Sequence, residues 1–187
     1  MRLLSCLAFV LSAGVVVAAD DFKPEPGFRL IFDGKTLDGW QAKAAKKGDK
    51  PEGLGGKTEA FAGRFKVKDG ELVIDPAVKG DRYIETVAPV GGDFTVRFDF
   101  KPDDKCNNDL LFRGTKFDIK ANDKNLKSVK VNEWNAMEIA VKDGTATYTI
   151  NGAKAATQKT KGDKRPFTLR AEFGGMAVKN LRLSDGK

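Results

Sequence analysis

The stretch Phe94-Thr95-Val96-Arg97-Phe98-Asp99-Phe100 decides the fold. Apolar residues occupy every second position, and polar residues fill the positions between them. A period of two is typical of a β-strand that buries one face and exposes the other. Shorter alternating segments flank three dipeptides that favour two-residue hairpin loops, and we therefore predict a β-hairpin at each. These dipeptides are Asp69-Gly70, Asp143-Gly144 and Asn151-Gly152.

Strand patterns recur along the rest of the chain, and no segment of helical period is long enough to predict a helix. Leu110–Phe112 and Phe117–Ile119 look like two short strands joined at Gly114. Turn residues recur about every 8–12 positions, as in β-sandwiches. We therefore predict an all-β fold, a sandwich or jelly roll, although sequential hairpins alone do not distinguish a sandwich from a barrel. The Lys- and Gly-rich stretches Gln41–Gly63 and Lys120–Lys130 are predicted to be surface loops.

The N-terminal segment has the pattern of a secretory leader. Arg2 precedes the apolar stretch Leu3–Val17, and the small residues Ala18 and Ala19 fit the cleavage rule of signal peptidase. We predict a signal peptide over residues 1–19, one domain over residues 20–187, and export to the periplasm or the extracellular space. A spanning helix needs about 20 apolar residues, so we expect no integral membrane segment in the mature chain.

The composition excludes several kinds of chemistry. The chain has no His, which excludes Ser-His-Asp triads, Cys-His pairs and His-containing zinc sites. Acid–base steps would depend on carboxylates, Lys, Tyr or water. Although 33 Lys and Arg exceed 26 Asp and Glu, the basic segments lack interleaved aromatic residues, and we expect no nucleic-acid partner. Cys106, the one cysteine after the leader, is expected to be buried and unreactive.

Four blocks of the sequence, in order and at matching spacing, carry a resemblance to a known family. The blocks are Gly27–Trp40, Gly91–Phe100, Asn132–Asn135 with Tyr148–Gly152, and Val178–Leu183. They resemble the 3-keto-disaccharide hydrolase domain family, also described as 3-keto-glycoside lyase and hydratase domains. Its members are typically exported bacterial proteins. The resemblance implies a concanavalin A-like jelly roll, two antiparallel sheets with a concave face where sugars bind, and it makes a carbohydrate or glycoside the expected partner.

The polar residues of the central strands are the candidate ligands for that sugar. Arg97 and Asp99 stand two apart and share one sheet face. The resemblance adds Asn107 and Arg113, which match the family pattern, and Lys120, which replaces an amide. We expect Arg97, Asn107, Arg113 and Lys120 to bind substrate.

The carboxylates are the candidate catalytic groups. Cleaving a 3-keto glycoside by elimination needs a base for the C2 proton beside the ketone, and a group that stabilises the enolate. We expect Asp99, Asp118 and Glu172 to supply the base, and their oxygens could also bind a divalent metal, although no cofactor is certain. The hypothesis places the site on one sheet face around Asp99, Arg113 and Asp118.

Near the C-terminus the chain departs from the family pattern. Members commonly carry a Gln and a His before a Gly, whereas this chain has Arg170, Glu172 and Phe173. Three functions therefore remain open. They are an exported enzyme acting on 3-keto sugars, a noncatalytic carbohydrate-binding domain on the same fold, and a structural or adhesion module of the cell envelope.

Overall fold

The computed structural model describes residues 22–44, 46, 48–162 and 164–186. The predicted leader lies outside these residues. The described part of the chain has no helix, and so none that could cross a membrane. Its strands, in chain order, are β1 (Arg29–Leu30), β2 (Trp40–Ala42), β3 (Glu52–Gly53), β4 (Glu59–Ala60), β5 (Phe65–Lys68), β6 (Glu71–Ile74), β7 (Arg82–Val90), β8 (Phe94–Pro102), β9 (Asn107–Phe112), β10 (Thr115–Lys120), β11 (Asn135–Lys142), β12 (Thr145–Ile150), β13 (Ala153–Lys159), β14 (Arg165–Phe173) and β15 (Met176–Asp185).

These strands pair into two antiparallel sheets. In the described residues, one sheet has nine strands in the order β13-β12-β11-β8-β15-β6-β5-β4, with β1 paired to β15. The other has six strands in the order β10-β9-β14-β7-β2-β3. Many neighbouring strands, such as β8 and β15, are far apart in the sequence, so much of the strand pairing is long-range. The predicted all-β, two-sheet jelly-roll sandwich is confirmed.

The core lies between the two sheets, and β8 supplies its centre. Phe94, Val96, Phe98 and Phe100 are each at most 2% exposed, as the alternation predicts. The Phe94 ring meets the ring of Phe112 from β9 edge to face, with centroids 5.6 Å apart. This contact joins the nine-stranded sheet to the six-stranded sheet.

The three predicted hairpins are confirmed, and the structure adds a fourth of the same kind. In all four turns both central residues have positive φ, the geometry that matches the twist of the flanking strands. The fourth turn is Arg113-Gly114, with φ of 44° and 69°, and it joins β9 to β10. Strand β9 begins at Asn107, three residues before the predicted start at Leu110.

Some local predictions need correction. Gln41–Gly63 is not only a loop, because it contributes to β2, contains β3 and β4, and buries Leu54 and Ala60. Of the predicted loop Lys120–Lys130, Lys120 belongs to β10, and the remaining residues contain no strand, as expected, although Leu126 is buried among them. Cys106 is buried, and burial raises the pKa of its thiol to about 12, which confirms the expectation of a buried cysteine.

The alternation of β8 predicts a difference in unfolding free energy between two substitutions on one strand. Phe98→Ala removes a ring from the core and should lower the unfolding free energy by about 3–5 kcal/mol. Thr95→Ala, on the outer face of the same strand, should change it by less than about 1 kcal/mol. Urea unfolding followed by circular dichroism measures both. Similar losses in the two variants would contradict this assignment of the faces.

Candidate functional site

The outer face of the six-stranded sheet carries a row of four polar side chains, which we call the central row. Register places Asp118 of β10 opposite Asp109 of β9, Asp109 opposite Arg170 of β14, and Arg170 opposite Tyr83 of β7. Side chains directly opposite each other in an antiparallel pair lie on one face of the sheet, about 5 Å apart at Cβ. The central row therefore spans four strands.

Arg170 is the centre of the charge network in this row. Its guanidinium donates to Asp109 at 2.6 Å and to both oxygens of Asp81 at 2.9 and 2.7 Å. It also lies 3.0 Å from Glu172. The hydrogen bonds to Asp81 raise the pKa of Arg170, so it stays charged. On its other side the guanidinium lies 5.4 Å from the centre of the Tyr83 ring. Arg170 is therefore held by three carboxylates and one aromatic ring.

Asp109 and Asp118 are two neighbouring carboxyls whose pKa values shift in opposite directions. Asp109 is fully buried, and its Oδ2 accepts from Arg170, while its Oδ1 has no hydrogen-bond partner in the described structure. Burial, with the adjacent carboxyl of Asp118, raises the pKa of Asp109 to about 6. Burial also opposes ionisation of Asp118, but its contacts with Asp109 and Lys116 outweigh burial and lower its pKa. Two adjacent carboxylates do not both ionise freely, so as pH rises Asp118 ionises before Asp109.

Lys116 lies beside the exposed end of the row. Its Nζ lies 2.6 Å from Asp118 and 3.6 Å from Asp109. The hydrogen bond to Asp118 raises the pKa of Lys116, which keeps the ammonium charged. The side chains of Lys116 and Asp118 are 47% and 49% exposed, so a ligand can reach this cation and this carboxylate. Asp109 behind them is closed to solvent.

Glu172 is positioned by an irregularity in the pairing of β14 with β9. The register shifts between Arg170 and Phe173, and the buried Asn108 side chain accepts from the Glu172 backbone N–H at 2.8 Å. The Asn107 amide donates to the Glu172 carboxylate at 3.5 Å. Glu172 therefore lies at the edge of the central row, within reach of Asn107 and Arg170.

A cavity of about 490 Å³ opens next to the central row, and we call it the Arg113 pocket. Part of its lining is a second row of outward residues, two positions along each strand from the central row, which includes Lys116, Leu111 and Glu85. The Arg113-Gly114 turn also lines the pocket. The Arg113 guanidinium donates to the backbone oxygens of Gly162 at 2.9 Å and Gly92 at 2.7 Å. These bonds fix the cation at the wall of the pocket.

The structure divides the predicted site residues between two sheets. Asp118, Glu172, Asn107 and Lys120 lie on β9, β10 and β14 of the six-stranded sheet, and Arg113 lies in the β9–β10 turn. Asp99 and Arg97 lie on β8, in the nine-stranded sheet.

The hypothesis that Asp99, Arg113 and Asp118 share one face is therefore wrong. Burial of the β8 phenyl rings between the sheets turns Asp99 and Arg97 to the opposite side of the sandwich. There Asp99 accepts from Asn180 at 2.6 Å, and Arg97 bonds Glu25 and Glu138, both at 2.7 Å. Through these contacts Arg97 holds the N-terminal segment, which carries Glu25, onto the nine-stranded sheet.

The three predicted carboxylates, Asp99, Asp118 and Glu172, do not come together as one set of oxygen ligands for a metal ion. Asp99 is on the other sheet, and the described residues contain no cluster of three or more His, Cys, Asp or Glu arranged to bind a metal ion. On the central row the place between Asp109 and Asp118 is taken by the ammonium of Lys116, and that between Asp81 and Glu172 by Arg170. The protein's own cations thus neutralise these carboxylates.

Sequence reasoning overlooked Asp109 and gave Lys116 no role, and it treated Arg170 only as a departure from the family pattern. The signal for Asp109 was present in the sequence. If the alternation of β9 is extended backwards from Phe112, Leu110 faces the core and Asp109 faces outward, opposite Asp118 across the Arg113-Gly114 turn. The polar residues at the start of β9 concealed the strand.

The raised pKa of Asp109 predicts how stability depends on pH. The folded protein keeps this proton up to about pH 6, whereas the carboxyl ordinarily loses it near 3.8. Unfolding therefore releases a proton between about pH 4 and pH 6, and the free energy of unfolding should fall as pH rises through that window. Asp109→Asn should remove this contribution, which denaturant unfolding at a series of pH values measures.

Asp104→Asn is the matched control, because Asp104 is an exposed carboxyl of the turn between β8 and β9. It should keep the wild-type fall in stability. The same pH profile in Asp109→Asn and in the wild type would show that Asp109 is not the group that holds the proton.

Solved structures with a similar fold include proteins connected with carbohydrates. A candidate glycosyl hydrolase from Parabacteroides distasonis ATCC 8503 has a TM-score of 0.68 and 16% identity, over 90% of this chain and 100% of that one. A second from the same organism has a TM-score of 0.61 and 15% identity, over 85% and 99%. The carbohydrate-binding module CBM66 from Bacillus subtilis has a TM-score of 0.51 and 12% identity, over 79% and 96%. At these identities the likeness shows the fold alone.

The sequence itself gives the family. No curated protein matches the chain. The sequence profile of the 3-keto-alpha-glucoside-1,2-lyase-like domain matches residues 27–184, and this range includes all four blocks of the resemblance. This match covers most of the chain, and it agrees with the two-sheet fold. The chain belongs to the family of 3-keto-alpha-glucoside-1,2-lyase-like domains.

Proposed function

We propose that this chain is an exported carbohydrate-active protein that cleaves 3-keto glycosides by elimination on the outer face of the six-stranded sheet. The observation that carries the proposal is the position of Asp118, a half-exposed carboxylate that lies opposite the buried Asp109 and 2.6 Å from the ammonium of Lys116. Family membership supports the substrate class. The apolar segment Leu3–Val17 and the cleavage pattern after it support export.

Asp118 is the proposed base. Its carboxylate removes the proton from C2 of the sugar, beside the C3 ketone, and the electrons of that C–H bond form the enolate. The ammonium of Lys116, 2.6 Å from Asp118, is placed to stabilise the enolate oxygen. Collapse of the enolate forms the C1–C2 double bond and breaks the bond from C1 to the departing oxygen.

Asp118 has a second task, as the acid. The proton that it takes from C2 passes to the departing oxygen. Asp118 then returns to its starting state as a carboxylate. Burial and Arg170 keep Asp109 in place, so the reacting group at the surface is Asp118. Asn107, Lys120 and Arg113 remain proposed substrate-binding residues, and Glu172 is a proposed second carboxylate at the edge.

The central test compares two carboxylates on opposite sheets. Asp118→Asn should lower the rate of aglycone release from a chromogenic 3-keto glucoside at least about 100-fold, because the base is lost while the shape is kept. Asp99→Asn, the matched control on β8, should retain the wild-type rate. The reaction is followed by absorbance of the released aglycone, with and without added divalent metal ion.

Loss of activity in Asp99→Asn but not in Asp118→Asn would refute this site. If the wild type were active only with added metal ion, the mechanism by Asp118 and Lys116 alone would be wrong. Circular dichroism of both variants checks that each keeps the fold.

A second function, binding of carbohydrate without cleavage, has one observation in its favour. Arg170 makes ion pairs with Asp81, Asp109 and Glu172, so its N–H donors are directed at the protein. They are therefore not directed at the enolate that cleavage would form. No aglycone release by the wild type, together with sugar binding that Asp118→Asn retains, would establish this second function in place of the first.

A further inference from the structure

The Arg113-Gly114 turn differs from the other three hairpin turns in one respect. Those turns place Asp or Asn at the first position with positive φ, as such turns usually do. Here an Arg adopts φ of 44°, a conformation that costs most side chains about 1–2 kcal/mol. Turn geometry alone does not call for Arg at this position. The hydrogen bonds to Gly162 and Gly92 direct its guanidinium to the pocket wall.

The Arg113 pocket is strongly positive. Lys43, Arg113, Lys116 and Arg165 line it, whereas Glu85 is the one carboxylate among its lining residues. Glu85 is 8% exposed and accepts from the Gln41 side chain at 3.0 Å.

Three of these four cations are not neutralised by the described residues. Lys116 pairs with Asp118, but within the described ranges Lys43, Arg113 and Arg165 form no ion pair. Lys43 instead lies 5.2 Å from the centre of the Tyr83 ring. On the central row, by contrast, every carboxylate meets a cation. The described residues that line the pocket therefore carry more positive than negative charge.

We propose that the Arg113 pocket binds an anionic sugar unit, one that carries a carboxylate or a sulfate group. The inference rests on the proposed function, since it makes the pocket a subsite beside the reacting carboxylate. A guanidinium held by two backbone carbonyls keeps its remaining N–H groups in a fixed plane, which suits an oxyanion of planar or tetrahedral shape. A volume of about 490 Å³ is sufficient for a sugar unit. Lys116 joins the pocket to Asp118, so the bound unit lies next to the central row.

The test measures binding, separately from cleavage. Wild-type protein is titrated with methyl glucuronide, methyl glucoside 6-sulfate and neutral methyl glucoside, with amide chemical shifts as the readout. Both anionic glycosides should bind at least about tenfold more tightly than the neutral one, and the shifts should centre on Arg113, Gly114 and Thr168. A preference for only one of the anionic probes would identify which oxyanion the pocket takes.

Two variants with the same change of net charge provide the comparison. Lys43→Gln with Arg165→Gln should weaken glucuronide binding about tenfold and leave glucoside binding unchanged. Lys101→Gln with Lys179→Gln, on the nine-stranded sheet, is the matched control and should bind as the wild type does.

Equal affinity for charged and neutral glycosides would overturn the inference, and so would equal weakening in the control, since that would reflect net charge alone. If a neutral 3-keto glucoside is cleaved while no anionic preference appears, the anionic subsite fails and the proposed function stands. If none of the glycosides binds and no 3-keto glucoside is cleaved, both fail.

Discussion

The contacts of the Phe112 ring are the constraint on which the site depends. This ring packs against Phe94 and Tyr148 of the nine-stranded sheet and Phe167 of its own sheet, with centroids 5.6, 6.1 and 6.3 Å apart. Each aromatic pair contributes about 0.5–1.5 kcal/mol beyond the area that it buries. Because Phe112 faces inward and side chains alternate along β9, Asp109, three positions away, faces outward. The packing that joins the sheets therefore also places the acid.

Once Asp109 is on that face, its environment determines its protonation. A fully buried carboxylate without compensation would be costly, and the protein compensates in two ways. Arg170 donates to one oxygen, and the raised pKa lets the carboxyl hold a proton to higher pH than usual. In this chain without His, two carboxyls and two cations together produce a group that holds its proton to about pH 6. The range is one that His usually supplies.

The local features of the fold could be predicted from the sequence, and the reason is physical. The alternation of β8 and the Asp-Gly and Asn-Gly turns are decided by residues next to one another, so their strands and hairpins follow from short segments. The strand of Asp118 was predicted, whereas the predicted partner strand began at Leu110 and so left out Asn107 and Asp109. There the buried Asn108, bonded to Cys106 and to the Glu172 backbone, gives β9 a polar start that does not look like a core strand.

The division of residues between sheets could not be predicted in the same way. That Asp99 faces outward follows from its own strand, but which surface it faces depends on pairing of β8 with β11 and β15, more than thirty residues later in the chain. Short-range patterns contain no information on such pairing. Asp99 and Asp118 therefore look equivalent in sequence although they lie on opposite sides of the sandwich.

The arrangement of charge on the six-stranded sheet gives the site a direction. Two residues along a strand is about 7 Å, so the row that lines the Arg113 pocket lies one such step from the central row. The central row balances its carboxylates with Arg170 and Lys116, whereas the pocket keeps cations without carboxylate partners among the described residues. An oxyanion on a ligand would be drawn to the pocket end and repelled from Asp118. A ligand held in that orientation presents its neighbouring sugar unit, and not its charged group, to the carboxylate that is exposed.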